Sequence, residues 1–108
     1  MSRYVVNGPL SGVDAEIITT TSSDSTLTSG KYAKSNGSAN YAVITVTDAN
    51  SVLITVQNPA GTLPADGSTG VFIEKASGPY TVNGDLSKVI LRRGASTNCV
   101  IHVNYFNA

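Results

Sequence analysis

Apolar and polar residues alternate in short runs along this chain, and clusters of Gly, Pro, Asn, Asp and Ser separate the runs. Strict alternation sends successive side chains to opposite faces of an extended strand, which is the pattern of a strand with one buried face. Nowhere do apolar residues recur at the i, i+3, i+4, i+7 spacing of an amphipathic helix. The runs predict strands over residues 3–7, 13–20, 26–34, 41–48, 51–57, 69–75, 79–83, 87–92 and 98–106. The clearest pair, 41–48 and 51–57, flanks Asp48-Ala49-Asn50-Ser51 and reads as a β-hairpin with a tight polar turn.

Turn residues such as Asn7-Gly8-Pro9, Asn36-Gly37, Gly78-Pro79 and Asn83-Gly84 punctuate these runs. Short strands at such regular spacing indicate an all-β protein, a single-domain antiparallel β-sandwich of jelly-roll or Ig-like type, with a small β-barrel as the alternative. The length of 108 residues holds one domain with one core, residues 1–108. The longest loop, 58–70, has two prolines and three glycines. The strands after it are needed to close a core, so it reads as a functional surface loop and not a linker.

Charge changes the picture more than hydropathy does. Charged residues make up 13% of the chain and the formal net charge is zero, against a charged share of about 25% in an average soluble protein. A nucleic-acid partner calls for a clustered basic surface. The only adjacent basic residues are Arg92 and Arg93, which alternation sends to opposite faces of a strand, so no nucleic-acid partner is expected. A sparsely charged surface rich in Ser, Thr and Asn suits a protein held in an assembly, because charge is what keeps free surfaces apart. The single cysteine, Cys99, excludes an internal disulfide. With neither the apolar stretch of a secretory signal nor a membrane-spanning run, the chain reads as a complete cytosolic product with no membrane partner.

Candidate chemistry is thin. Cys99 and His102 lie near one another, but in a strand Cys99, Ile101, Val103 and Tyr105 share one face, while Val100, His102, Asn104 and Phe106 share the other. Cys99 therefore reads as a small buried hydrophobe and His102 as a partly exposed polar residue. One His and one Cys make no zinc site, and Asp24, Asp48, Asp66 and Asp85 sit singly in loops without the spacing of a calcium loop. Glu16 and Glu74 sit in strand-like runs with nothing around them that marks a cleft, so both are expected to face solvent. No nucleophile elbow, phosphate loop or dinucleotide fingerprint is present. The tyrosines, Tyr4, Tyr32, Tyr41, Tyr80 and Tyr105, are scattered and Trp is absent, a meagre supply for stacking sugars. No catalytic, cofactor-binding or metal-binding residue is assigned, and the chain is read as a non-enzyme.

Thr/Val-rich alternating strands, few charges, Asn-Gly and Gly-Pro turns and an apolar final strand give the chain its texture, seen in Thr69-Gly70-Val71-Phe72-Ile73-Glu74-Lys75 and Val89-Ile90-Leu91-Arg92-Arg93-Gly94-Ala95. In this it resembles the small virion proteins of tailed bacteriophages, of the capsid decoration (cement) or head-fibre type. The resemblance implies a non-catalytic protein on the capsid surface, made in the host cytoplasm, which bridges major capsid proteins and stabilises the shell, commonly as a homotrimer or as a monomer that grips the shell through a terminal arm. The alternative is a receptor- or carbohydrate-binding β-domain such as a fibre tip. Arg3 and Tyr4, of types enriched at interfaces, make residues 2–9 either a partner-binding arm or an ordinary first strand. Arg92 and Arg93 are candidates to meet an acidic partner.

Overall fold

Each strand of this protein has one apolar row to bury, and two sheets stacked face to face bury all of them at once. The computed structural model describes residues 11–35, 37–48, 52–57 and 70–107. Along the chain run β1 (Ser11–Thr20), β2 (Ser25–Thr26), a one-turn helix α1 (Ser29–Tyr32), β3 (Tyr41–Val46), β4 (Val52–Gln57), β5 (Val71–Glu74), β6 (Tyr80–Asn83), β7 (Val89–Arg93) and β8 (Cys99–Asn107). Two 3₁₀ turns, Lys75–Ser77 and Leu86–Lys88, lead into β6 and β7.

One sheet has the order β1-β8-β3-β6 and the other β2-β7-β4-β5, with every pairing antiparallel. Strand pairs 1·8, 2·7, 3·6 and 4·5 are those of one long hairpin of paired strands rolled over on itself. This is the eight-stranded jelly roll. The all-β sandwich is thus the observed architecture, open at its sheet edges and not a closed barrel.

Two local readings of the sequence are corrected. Segments 41–48 and 51–57 do not form a hairpin, because β3 and β4 lie in different sheets. Both sides of β3 are taken by β8 and β6, and both sides of β4 by β7 and β5, so long-range pairing displaces the local one. The connecting residues also lack the glycine that a two-residue hairpin turn favours. The run 26–34 is not a strand beyond Thr26. It turns through α1, where the Ala33 amide donates to the Ser29 carbonyl at 2.8 Å. Leu27, 2% exposed, and the half-buried Tyr32 anchor that turn against the core, and their five-residue spacing is not an alternation. The expected strand at 3–7 lies outside the described residues.

The core is built from the inward rows Ala42, Ile44 and Val46 of β3, Leu53 of β4, Val89 and Leu91 of β7, and Cys99, Ile101, Val103 and Tyr105 of β8. In β8 Cys99, Ile101, Val103 and Tyr105 are all buried, while His102 and Asn104 are exposed, as alternation requires. Polar atoms that enter this core carry their own partners. The buried Thr20 hydroxyl donates to the Cys99 carbonyl at 3.1 Å, and that of Thr47 donates to the Val100 carbonyl at 3.1 Å. Among the described residues no buried side-chain nitrogen or oxygen lacks a hydrogen bond.

Candidate functional site

A β-bulge between Gly12 and Asp14 sets the phase of β1, so that Asp14, Glu16, Ile18 and Thr20 turn inward, while Ala15, Ile17 and Thr19 are exposed. Glu16 therefore does not face solvent as a lone surface carboxylate, which corrects the expectation from sequence. It accepts hydrogen bonds from the Tyr105 hydroxyl (2.5 Å), the Thr28 hydroxyl (2.7 Å) and the Thr28 amide (3.2 Å). The Tyr105 ring, fully buried, packs against Tyr32 of α1 with centroids 5.9 Å apart. Burial first, and then the hydrogen bond to Glu16, push the Tyr105 phenol far above its ordinary value. With three donors on it, the Glu16 carboxylate ties the β2–β3 connection to the sheet.

A second tie lies next to the first. Lys34 pairs with Asp14 at 2.9 Å, and Lys31 stands at 3.9 Å. The hydrogen bond from Lys34, and then the one from the Ala15 amide, hold the Asp14 carboxyl below its ordinary 3.8. Asp85 is lowered likewise by the Ser87 hydroxyl and amide, which it binds as the cap of the Leu86–Lys88 turn. Carboxyls depressed in the folded state stabilise it above their unfolded value, and that stabilisation is lost as pH falls through the lower folded one. The melting temperature is expected to drop as pH falls below 3.8. Asp14→Asn should flatten this acid limb in a series of melts across pH, at the cost of a lower plateau at neutral pH.

The outer face of the β1-β8-β3-β6 sheet is the most distinctive surface of the molecule. β3, β6 and β8 contain no Asp, Glu, Lys or Arg, and the two acids of β1, Asp14 and Glu16, are turned inward. Among the described residues the face thus presents no Asp, Glu, Lys or Arg side chain, and His102, the one histidine, lies on it. Ile17, 66% exposed, projects from it, and Tyr41 and Phe106 meet edge to face on it with centroids 6.2 Å apart. Between β1 and β8 lies a shallow, open depression of about 400 Å³ bordered by Ala15, Glu16, Ile17, His102, Val103 and Asn104. Such a surface suits contact with another protein surface better than enclosure of a small molecule.

The residues singled out from sequence are dispersed. Arg3 and Tyr4 lie outside the described residues. Arg92 donates through Nε to Asp24 at 2.8 Å and pairs with it again through Nη2. Arg93 donates to the Asn98 side chain at 2.7 Å, and its amide to the Thr21 carbonyl at 2.9 Å. Both guanidinium groups therefore brace loops at the ends of the β2-β7-β4-β5 sheet. Cys99 is buried, with its thiol pushed up by desolvation, and faces away from His102. Glu74 is exposed, as expected. Among the described residues, no group of three His, Cys, Asp or Glu side chains converges on a metal position, and no helix is long and apolar enough to cross a membrane. The uncharged sheet face could have been found from sequence only with the strand order in hand, since its rows come from strands far apart in the chain.

No family model, curated protein or solved structure matches this chain.

Proposed function

We propose that this domain is a non-catalytic virion structural protein that decorates a bacteriophage capsid, bridging neighbouring major capsid proteins and stabilising the shell as a homo-oligomer. The observation that carries the reading is the charge-free outer face of one sheet of a jelly roll. Interface centres are depleted in charged residues and carry aromatic ones, and Tyr41 and Phe106 supply the aromatics here. The jelly roll recurs in viral capsid domains, which adds support by analogy of fold. Low overall charge adds support from solubility, since such a chain gains by being held in an assembly.

Sedimentation of the purified protein with empty phage shells tests the proposal. Loading to a fixed ratio of protein to capsid subunit is expected. Asn104→Lys, which sets a charge in the middle of the uncharged face without touching the core, should reduce loading while leaving the melting temperature nearly unchanged. Absence of loading on shells, together with retention on a glycan array, would favour a carbohydrate-binding domain instead.

A further inference from the structure

Strand β1 is the longest strand described, yet among the described residues it lies at the edge of its sheet with β8 as its only strand neighbour. The direction of its backbone groups follows from the ladder on the other side of β8. The Thr47 amide donates to the Val100 carbonyl, so Val100, and by alternation His102 and Asn104, spend their backbone groups on β3. Ile101 and Val103 then spend theirs on β1, opposite Ile18 and Glu16. The amides and carbonyls of Ala15, Ile17 and Thr19 accordingly point away from the sheet. The Ala15 amide is consistent with this, because it turns to its neighbour's carboxylate, Asp14 Oδ1, at 2.8 Å.

An edge of this kind is a template for another strand, and proteins usually blunt it with bulges, lysines or inward charges. β1 has such devices only in its first half, where the bulge at Gly12/Asp14 and the carboxylates of Asp14 and Glu16 lie. Its second half, from Ile17 to Thr20, is uncharged and carries Ile17, the most exposed large apolar side chain among the described residues.

We infer that β1 pairs antiparallel with β1 of a second copy of this chain, about a two-fold axis through Ile17. In that register the Ile17 amide and carbonyl bond those of the partner's Ile17. The Thr19 amide reaches the partner's Ala15 carbonyl, and the Ala15 amide reaches the partner's Thr19 carbonyl when Asp14 releases it. On the outer face, Ile17 packs on its own symmetry mate and is flanked by Ala15 and Thr19. A self-facing contact sets each residue near its own copy, so it favours a surface without like charges; the outward residues Ala15, Ile17 and Thr19 carry none, and the Glu16 carboxylate is turned away to Thr28 and Tyr105. The axis stands perpendicular to the sheet, so the two uncharged faces look the same way and join into one continuous surface. The inference concerns only the chain and its copy, and it stands whether or not the protein binds a capsid. It gives a two-fold contact where the family resemblance implies a trimer or an arm-bound monomer.

The test is sedimentation equilibrium of the full chain with Ile17→Lys, alongside oxidation of Ile17→Cys and Thr19→Cys. Residues facing each other across a hydrogen-bonded pair have Cα atoms ~5.5 Å apart, within disulfide range, whereas the two copies of position 19 are offset by ~13 Å. The wild type is expected to sediment as a dimer, and Ile17→Lys should weaken dimerisation by at least about tenfold with its far-UV circular dichroism unchanged. Ile17→Cys should cross-link readily and Thr19→Cys should not, while Cys99, fully buried, contributes no background. A wild-type monomer, a trimer, or equal cross-linking at the two positions would overturn the inference. Loss of shell binding alone would leave it standing.

Discussion

Replacing Ile101 by Ala is expected to lower the unfolding free energy by about 2–5 kcal/mol, the range for truncating a fully buried Ile or Leu. Ile101 has no exposed surface, sits in the central strand β8, and lies in one inward row with Ile18 of β1 and Val46 of β3. β8 is held by hydrogen bonds to β1 on one side and to β3 on the other, so its backbone cannot collapse readily into the space left behind. Against a stability of about 5–15 kcal/mol for a typical domain, the loss is large. The companion substitution Ile17→Ala removes the same side-chain atoms from the opposite phase of β1 and, at protein concentrations where the chain is monomeric, is expected to change stability by less than about 0.5 kcal/mol. Urea titrations of both variants measure the contrast. A slip of one residue in the β1·β8 register would reverse it, because slippage by one exchanges the two faces of a strand.

Removing the carboxylate of Glu16 is the second large effect. Glu16→Ala takes away the acceptor of the Tyr105 hydroxyl and of both Thr28 donors. A hydrogen bond to a charged group contributes about 1.5–3 kcal/mol. Thr28 is exposed and water can replace its lost partner, so the cost of Glu16→Ala concentrates on the buried phenol and is expected at about 2–3 kcal/mol. Tyr105→Phe removes the donor instead and should cost less, since the carboxylate keeps its two bonds to Thr28. The double variant should cost clearly less than the sum of the two, and strict additivity would show that the two groups do not interact. The same tie fixes an alkaline limit. A phenol whose value is raised in the folded state stabilises it below the unfolded value of 10.0, and that contribution fades as pH climbs above it. Absorbance at alkaline pH should show Tyr105 ionising only together with unfolding.

Period-two alternation was enough to read the core face of β8 from sequence, because the strand is long and central and its two faces differ sharply in polarity. The same signal failed at 41–57. Alternation reports which face of a strand is buried and says nothing of which strand lies beside it, and the jelly roll sends β3 and β4 to opposite sheets. It failed again for Glu16. The phase of β1 depends on the bulge after Gly12, and the donors Thr28 and Tyr105 lie 12 and 89 residues away in the chain. Arg92 and Arg93 stood out in sequence as an adjacent basic pair, but their partners, Asp24 and Asn98, become neighbours only when the sheets form. The uncharged sheet face is legible residue by residue and invisible as a surface until β1, β8, β3 and β6 are set side by side.

The disruption temperature of empty phage shells, measured by calorimetry with and without the protein, tests the decoration proposal most directly. A partner that binds only the intact shell stabilises it by mass action, by about 2.7 kcal/mol per site at a free concentration one hundred times the Kd. The account predicts a rise in disruption temperature that saturates at the loading stoichiometry and shrinks for Asn104→Lys. Shells that come apart at the same temperature at saturating protein would contradict it.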